Sequence, residues 1–130
     1  MQQVFSPYQQ YQKQKDHDVR SASPVKLIGM LLEGAILFNK RAIASIEEKR
    51  RVNALEQADR ACKIVLHLYN CLDFDRGGEI SDKLASLYNY ILDQYVRFAK
   101  GDVKVVTLEG VNRILDTILQ GWKQVEGNPS

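Results

Sequence analysis

Ten residues, Leu72-Asp73-Phe74-Asp75-Arg76-Gly77-Gly78-Glu79-Ile80-Ser81, separate two long runs in which apolar residues recur at steps of three and four. That spacing is the period of an amphipathic helix, and a short glycine-bearing break between two such runs reads as a helical hairpin. Gly77-Gly78 can take positive φ at low steric cost and reverse the chain. Glu79, Ser81 and Asp82 then put acceptors and negative charge where the next helix would expose unpaired N–H groups.

The same grammar extends in both directions. Ser23-Pro24 supplies a serine cap and a proline at the first helical position, where its missing N–H costs nothing. A first helix over about 24–49 carries Ile28, Leu31, Ala35, Phe38 and Ala42, and Glu47-Glu48-Lys49-Arg50-Arg51 marks its solvated end. Asn53 and Glu56 read as a capping box for a second helix, 53–72, with a seam of Leu55, Ala58, Cys62, Val65, Tyr69 and Leu72. The third helix, 80–99, carries Ile80, Leu84, Leu87, Ile91 and Phe98, and Lys100-Gly101 stops it. Leu108, Val111, Leu115, Ile118, Trp122 and Val125 define a fourth, 104–126. Residues 1–22 are polar and glutamine-rich and are expected to form a mobile or conditionally docked arm. Short connections leave one economical architecture for 23–127: an all-α, antiparallel up-down-up-down four-helix bundle, with crossing angles of about 20°.

Composition narrows the function more than the fold. A net charge of +2, from 18 basic and 16 acidic residues, gives no bulk electrostatic case for nucleic acid. No apolar run approaches the roughly 20 residues of a membrane span, so no membrane insertion is expected. Met1-Gln2-Gln3-Val4-Phe5 has neither a basic nor an apolar signal-peptide region, and a cytoplasmic protein is expected. Cys62 and Cys71, nine apart on one helix, point to opposite faces and read as buried free thiols of a reducing compartment.

Catalytic chemistry is sparse. His17 and His67 are each read as lacking a second His or a Cys at the three- or four-residue spacing that would converge on a metal, and the Glu-x-x-His pairs of a di-iron bundle are absent. Gly77-Gly78 lacks the strand and the Lys-Ser/Thr of a phosphate loop. Asp73, Asp75, Glu79 and Asp82 crowd the central turn without the spacing of a calcium loop, so capping is the expected role. No catalytic residue, metal site or cofactor is assigned.

The helices are instead unusually wide in apolar residues. Val25, Leu32, Ile36 and Ile43 flank the first seam; Ala61, Ile64, Leu68 and Cys71 the second; Tyr88, Leu92 and Val96 the third. A bundle helix facing two neighbours already needs a broad apolar arc, and any surplus would make grooves for partner helices or extended segments. Composition leaves both readings open. Ile64, Leu68, Tyr88, Leu92 and Val96 are the expected partner contacts.

Four local patterns, in order along the chain, together resemble the flagellin-specific export chaperone family (FliS). Pro7-Tyr8-Gln9-Gln10-Tyr11 looks like that family's N-terminal pair of tyrosines. Ser23-Pro24-Val25-Lys26-Leu27-Ile28, followed by Met30-Leu31-Leu32-Glu33-Gly34-Ala35-Ile36, resembles its first helix. The central turn with Leu84-Ala85-Ser86-Leu87-Tyr88-Asn89-Tyr90 is similar to its turn and third helix. Gly121-Trp122-Lys123-Gln124-Val125 resembles its closing segment. Leu32 and Glu33 stand where the family usually has Tyr and Asp, and Gly121 where it has Ala.

The resemblance implies a non-catalytic cytoplasmic chaperone. Such a protein binds the disordered C-terminal segment of flagellin, prevents premature polymerisation and delivers the subunit to a component of the flagellar type III export gate. Tyr8 and Tyr11 would then cover part of the client groove in the free protein. Two other readings fit the residues alone: a structural dimerisation module using the same stripes, and a small mutase-like enzyme using Arg60, Lys63, Arg97 and Arg113.

Overall fold

A computed structural model describes residues 23–127 as four helices: α1 (Pro24–Glu47), α2 (Arg51–Asn70), α3 (Phe74–Ala99) and α4 (Val105–Gly127). Among the described residues there is no strand, and the fold class is the all-α four-helix bundle that the periodicity called for. Tyr8 and Tyr11, with the rest of the expected arm, lie outside the described residues.

The ends of the helices show which local signals the chain uses. Ser23 caps α1 as expected, its Oγ accepting from the Lys26 N–H at 3.2 Å with Pro24 beside it. At the other end Lys49 adopts φ 61°, and the Arg50 N–H reaches back to the Ser45 carbonyl at 2.8 Å. This closure consumes an orphan carbonyl and ends α1 two residues earlier than the charge run implied. The Asn53–Glu56 capping box does not form. Helix α2 starts at Arg51 without a side-chain cap, and Asn53 Oδ1 instead accepts from Gln57 Nε2 at 3.4 Å.

The central break is also rearranged. The chain leaves α2 at Cys71, and Asp73 caps α3, its Oδ1 accepting from the Arg76 N–H at 3.1 Å. One helical turn follows before Gly78, at φ 50° and ψ −121°, interrupts the helix and re-aims it. Ser81 ties this elbow together, but not as a cap for N–H groups: its Oγ donates to the Asp73 carbonyl at 2.9 Å. Glu79 pairs with Lys83 on the exposed face. So the two glycines bend a helix that has already begun. A Cβ at Gly77 would collide with the Ser81 side chain, whereas one at Gly78 would meet nothing within 4 Å. Replacing Gly78 with L-alanine should therefore cost about 1–3 kcal/mol through backbone conformation alone. Urea midpoints should show that loss, and D-alanine at the same position should abolish it.

Packing sorts the four helices by side-chain size. The inner faces of α1 and α2 are built largely from Ala35, Ala42, Ala54, Ala58 and Ala61, which let these helices approach closely. The inner faces of α3 and α4 carry Tyr88, Ile91, Tyr95, Phe98, Leu108 and Leu115. Bulk at the centre holds α3 and α4 apart. The α1–α2, α1–α4 and α2–α3 seams are well packed, whereas α3 and α4 touch far less. On the α1–α2 seam Gly34 lies by Ile64 and Phe38 lies beneath Arg60; on the α1–α4 seam Glu33 pairs with Lys123 and Asn39 with Asn112. Numbers rising along α1 thus meet numbers falling along both neighbours.

The core is not wholly apolar. Asn39 is fully buried, its Nδ2 donating to Asn112 Oδ1 at 2.7 Å while its Oδ1 accepts from the Tyr95 hydroxyl at 2.8 Å. Asn112 Nδ2 in turn donates to the Ile36 carbonyl at 3.3 Å. One amide therefore joins α1, α3 and α4. Burial pushes the Tyr95 phenol far above its ordinary range and outweighs the opposing pull of its bond to Asn39; burial also lifts Tyr88 to about 12.

Candidate binding grooves

The loose α3–α4 seam holds an apolar cleft at one end and a mixed one, with Gln94, Thr107 and Arg113 among its lining, at the other. At one end, Ile80 and Leu84 of α3 face Ile118, Gly121, Trp122 and Val125 of α4 around a cleft of about 410 Å³. At the other, Tyr90 and Gln94 face Val106, Gly110 and Ile114 around about 360 Å³. Leu87 falls between the two clefts at helical spacing from Leu84 and Tyr90. Ile80 is 68% exposed and Val125 53%, and Leu87, Tyr90 and Val106 are exposed as well. That concentration of exposed apolar side chains along one seam is what a partner surface requires.

Two glycines shape this wall. Gly110 and Gly121 lie on the α3-facing side of α4, and a Cβ at Gly121 would meet nothing within 4 Å. Packing does not demand glycine there; its absence of a side chain deepens the cleft. Partly buried Trp122 lines the floor and also lines a smaller cavity of about 190 Å³ against Lys26, Gly29 and Met30 of α1. The first turn of α1 and the Ile80–Val125 end of the seam are therefore neighbours.

A second, smaller groove lies on the α2–α3 seam. Leu55, Cys62, Val96 and Ala99 surround about 250 Å³ above Tyr95 and Phe98. Burial, reinforced by the nearby Asp59 carboxylate, raises the Cys62 thiol above its ordinary value.

These positions redistribute the contacts expected from sequence. Leu68 and Tyr88 are 4% and 2% exposed and belong to the core, not to an open stripe. Ile64 is half-buried, with its Cδ1 against Gly34 of α1. Leu92 is half-buried against the core. Only Val96, 48% exposed, opens onto a groove. The five do not form one surface. Their displacement has a definite cause: α3 turns Tyr88 and Tyr95 inward, which rotates Ile80 and Leu87 from the expected core seam out towards α4.

The chemical inventory carries one surprise. Among the described residues no group of three or more His, Cys, Asp or Glu side chains could hold a metal ion. Cys71, expected to be buried, is exposed, and its Sγ lies 3.6 Å from Nε2 of His67. This corrects the expectation that His67 has no Cys at helical spacing, because Cys71 follows it by four residues, one turn along α2. Arg60, Arg97 and Arg113 point outward and Lys63 pairs with Asp59, so the cations that a bundle enzyme would gather do not converge.

Residues 7–129 match the family model described as flagellar protein FliS. The chain is 33% identical over 114 residues to the flagellar secretion chaperone FliS of Salmonella typhimurium, covering 86% of this chain and 83% of that protein. It is 30% identical over 106 residues to the protein of that name from Campylobacter jejuni, covering 82% of each. With flagellar secretion chaperone FliSB of Pseudomonas aeruginosa it shares 28% identity over 114 residues, 87% of this chain and 90% of that one.

Proposed function

This chain belongs to the FliS family of flagellar secretion chaperones, which are not enzymes, and on that premise we propose that it receives the C-terminal segment of flagellin in its α3–α4 seam. The observation that carries the proposal is the row of exposed apolar residues from Ile80 to Val106 along a seam the bundle leaves unfilled. An unpolymerised flagellin end has apolar helix faces that need cover, and an amphipathic helix laid in a groove anchors at steps of three and four. Ordering a disordered segment offsets part of the contact energy, so the complex can be tight yet releasable. Masking that segment prevents premature polymerisation, and the loaded chaperone carries the subunit to a component of the export gate.

The protein works in the cytoplasm, where flagellin is made; among the described residues no helix is long and apolar enough to cross a membrane. Val96 and the α2–α3 groove offer a second station for the same extended client. Tyr8 and Tyr11, outside the described residues, are proposed to cover part of the client groove in the free protein. Titration of the full chain with a flagellin C-terminal peptide is expected to give saturable one-to-one binding. Removing residues 1–20 should alter that affinity, and full-length affinity in the truncated protein would dismiss the role of the tyrosines. Self-association with no peptide binding would overturn the chaperone reading of the seam.

A further inference from the structure

We propose that His67 and Cys71 form a two-ligand site for a zinc-class transition-metal ion on the last turn of α2. Both side chains are exposed, and Sγ and Nε2 stand 3.6 Å apart. A zinc ion takes sulfur at about 2.3 Å and imidazole nitrogen at about 2.0–2.1 Å in tetrahedral geometry, which sets the two ligand atoms roughly 3.6 Å apart. The pair therefore already spans one edge of the coordination tetrahedron.

Backbone order supports the arrangement. The Cys71 N–H is bonded to the His67 carbonyl at 3.1 Å, so the two residues are held one helical turn apart by the end of α2 itself. The last carbonyls of that helix carry partial negative charge, which favours a cation at this end. The ligand set, one thiolate and one imidazole, selects zinc, cobalt or nickel over magnesium or calcium. On binding, the thiol releases its proton to solvent, the sulfur and the neutral imidazole nitrogen each donate a lone pair, and two positions remain for water or an outside ligand. No oxidation state changes. Because protons compete for both ligands, affinity falls as the solution is acidified.

The test is a cobalt(II) titration of the reduced, untagged, full-length protein. A sulfur-to-cobalt charge-transfer band with the visible bands of four-coordinate cobalt is expected, displaced by zinc and unaffected by magnesium. Cys71→Ser should abolish the charge-transfer band, and His67→Ala should weaken cobalt binding by about tenfold or more. Cys62→Ser, altering the thiol on the opposite face of α2, should retain both band and affinity. Both ligands are exposed, so circular dichroism of the variants should be unchanged. Absence of any band with cobalt in large excess, a band that follows Cys62, or undiminished affinity in His67→Ala would each overturn the site.

Discussion

Ile80→Glu combined with Val125→Glu is expected to abolish capture of a flagellin C-terminal peptide while leaving the helicity and melting temperature of the free protein unchanged. The two side chains face each other across the α3–α4 seam, at 68% and 53% exposure, so their replacement costs the free bundle no more than about 0.5 kcal/mol. In a complex the same carboxylates would be buried against apolar client side chains without a cationic partner. That burial costs several kcal/mol, and even about 3 kcal/mol weakens binding by more than a hundredfold. Val52→Glu, an exposed apolar position at the start of α2, is the matched control and should bind normally. Retention of wild-type affinity by the double variant would remove the seam as the client site. Loss of binding in Val96→Glu alone would move the site to the α2–α3 groove.

The largest effect on stability is expected from Asn39→Leu. Asn39 is fully buried, and its removal strands the Tyr95 hydroxyl and the Asn112 amide at once. Each orphaned buried group costs about 1–3 kcal/mol, so a loss of roughly 2–5 kcal/mol is expected in urea unfolding. Tyr95→Phe alone, which leaves the Asn39 carbonyl short of a donor, should cost about 1–2 kcal/mol by the same reasoning. The combination should cost less than the sum, because the hydroxyl that Asn39→Leu strands is then already gone. Strict additivity, or a loss below about 1 kcal/mol for Asn39→Leu, would show that the three side chains do not act as a network.

Asn39 also explains where sequence reading stopped. The helices were legible because their period is a property of consecutive residues, and Ser23-Pro24 was legible because a cap acts over three or four positions. The inward face of each helix was not. A pattern search ranks Ile80 and Leu87 as core and Tyr88 as surplus, since aliphatic residues bury at no polar cost. The structure reverses that ranking on α3, because Asn39, distant in sequence by 56 positions, supplies the acceptor that lets Tyr95 go inside. Leu32 lies inward on α1 because Asn39, two turns on, shares its face. The elbow at Gly78 was hidden similarly: Asp73, Gly77 and Ser81 make one device, and its hydrogen bond spans eight residues. Seams open or close according to the size of side chains on two helices at once, which no single helix reveals. Family likeness, by contrast, rests on short ordered strings and was readable throughout.

The sparsely filled α3–α4 seam has a consequence for how the molecule breathes. With α1 and α2 clasped through their alanines, α3 is retained by α2 and by one buried phenol-to-amide bond, and α4 adds little to its hold. Elements loosely held by their neighbours open at a lower free energy than the global fold, and α3, although its inner side chains are buried, makes the fewest close backbone approaches to the other helices. Amide protons of α3 are therefore expected to exchange sooner than those of α1. A helix lying along the seam would supply the contacts that α4 does not, so the free energy of that docking would appear as slowed exchange in α3. The cargo would then act as the missing stave of a barrel, and the chaperone would be most completely folded when it is loaded.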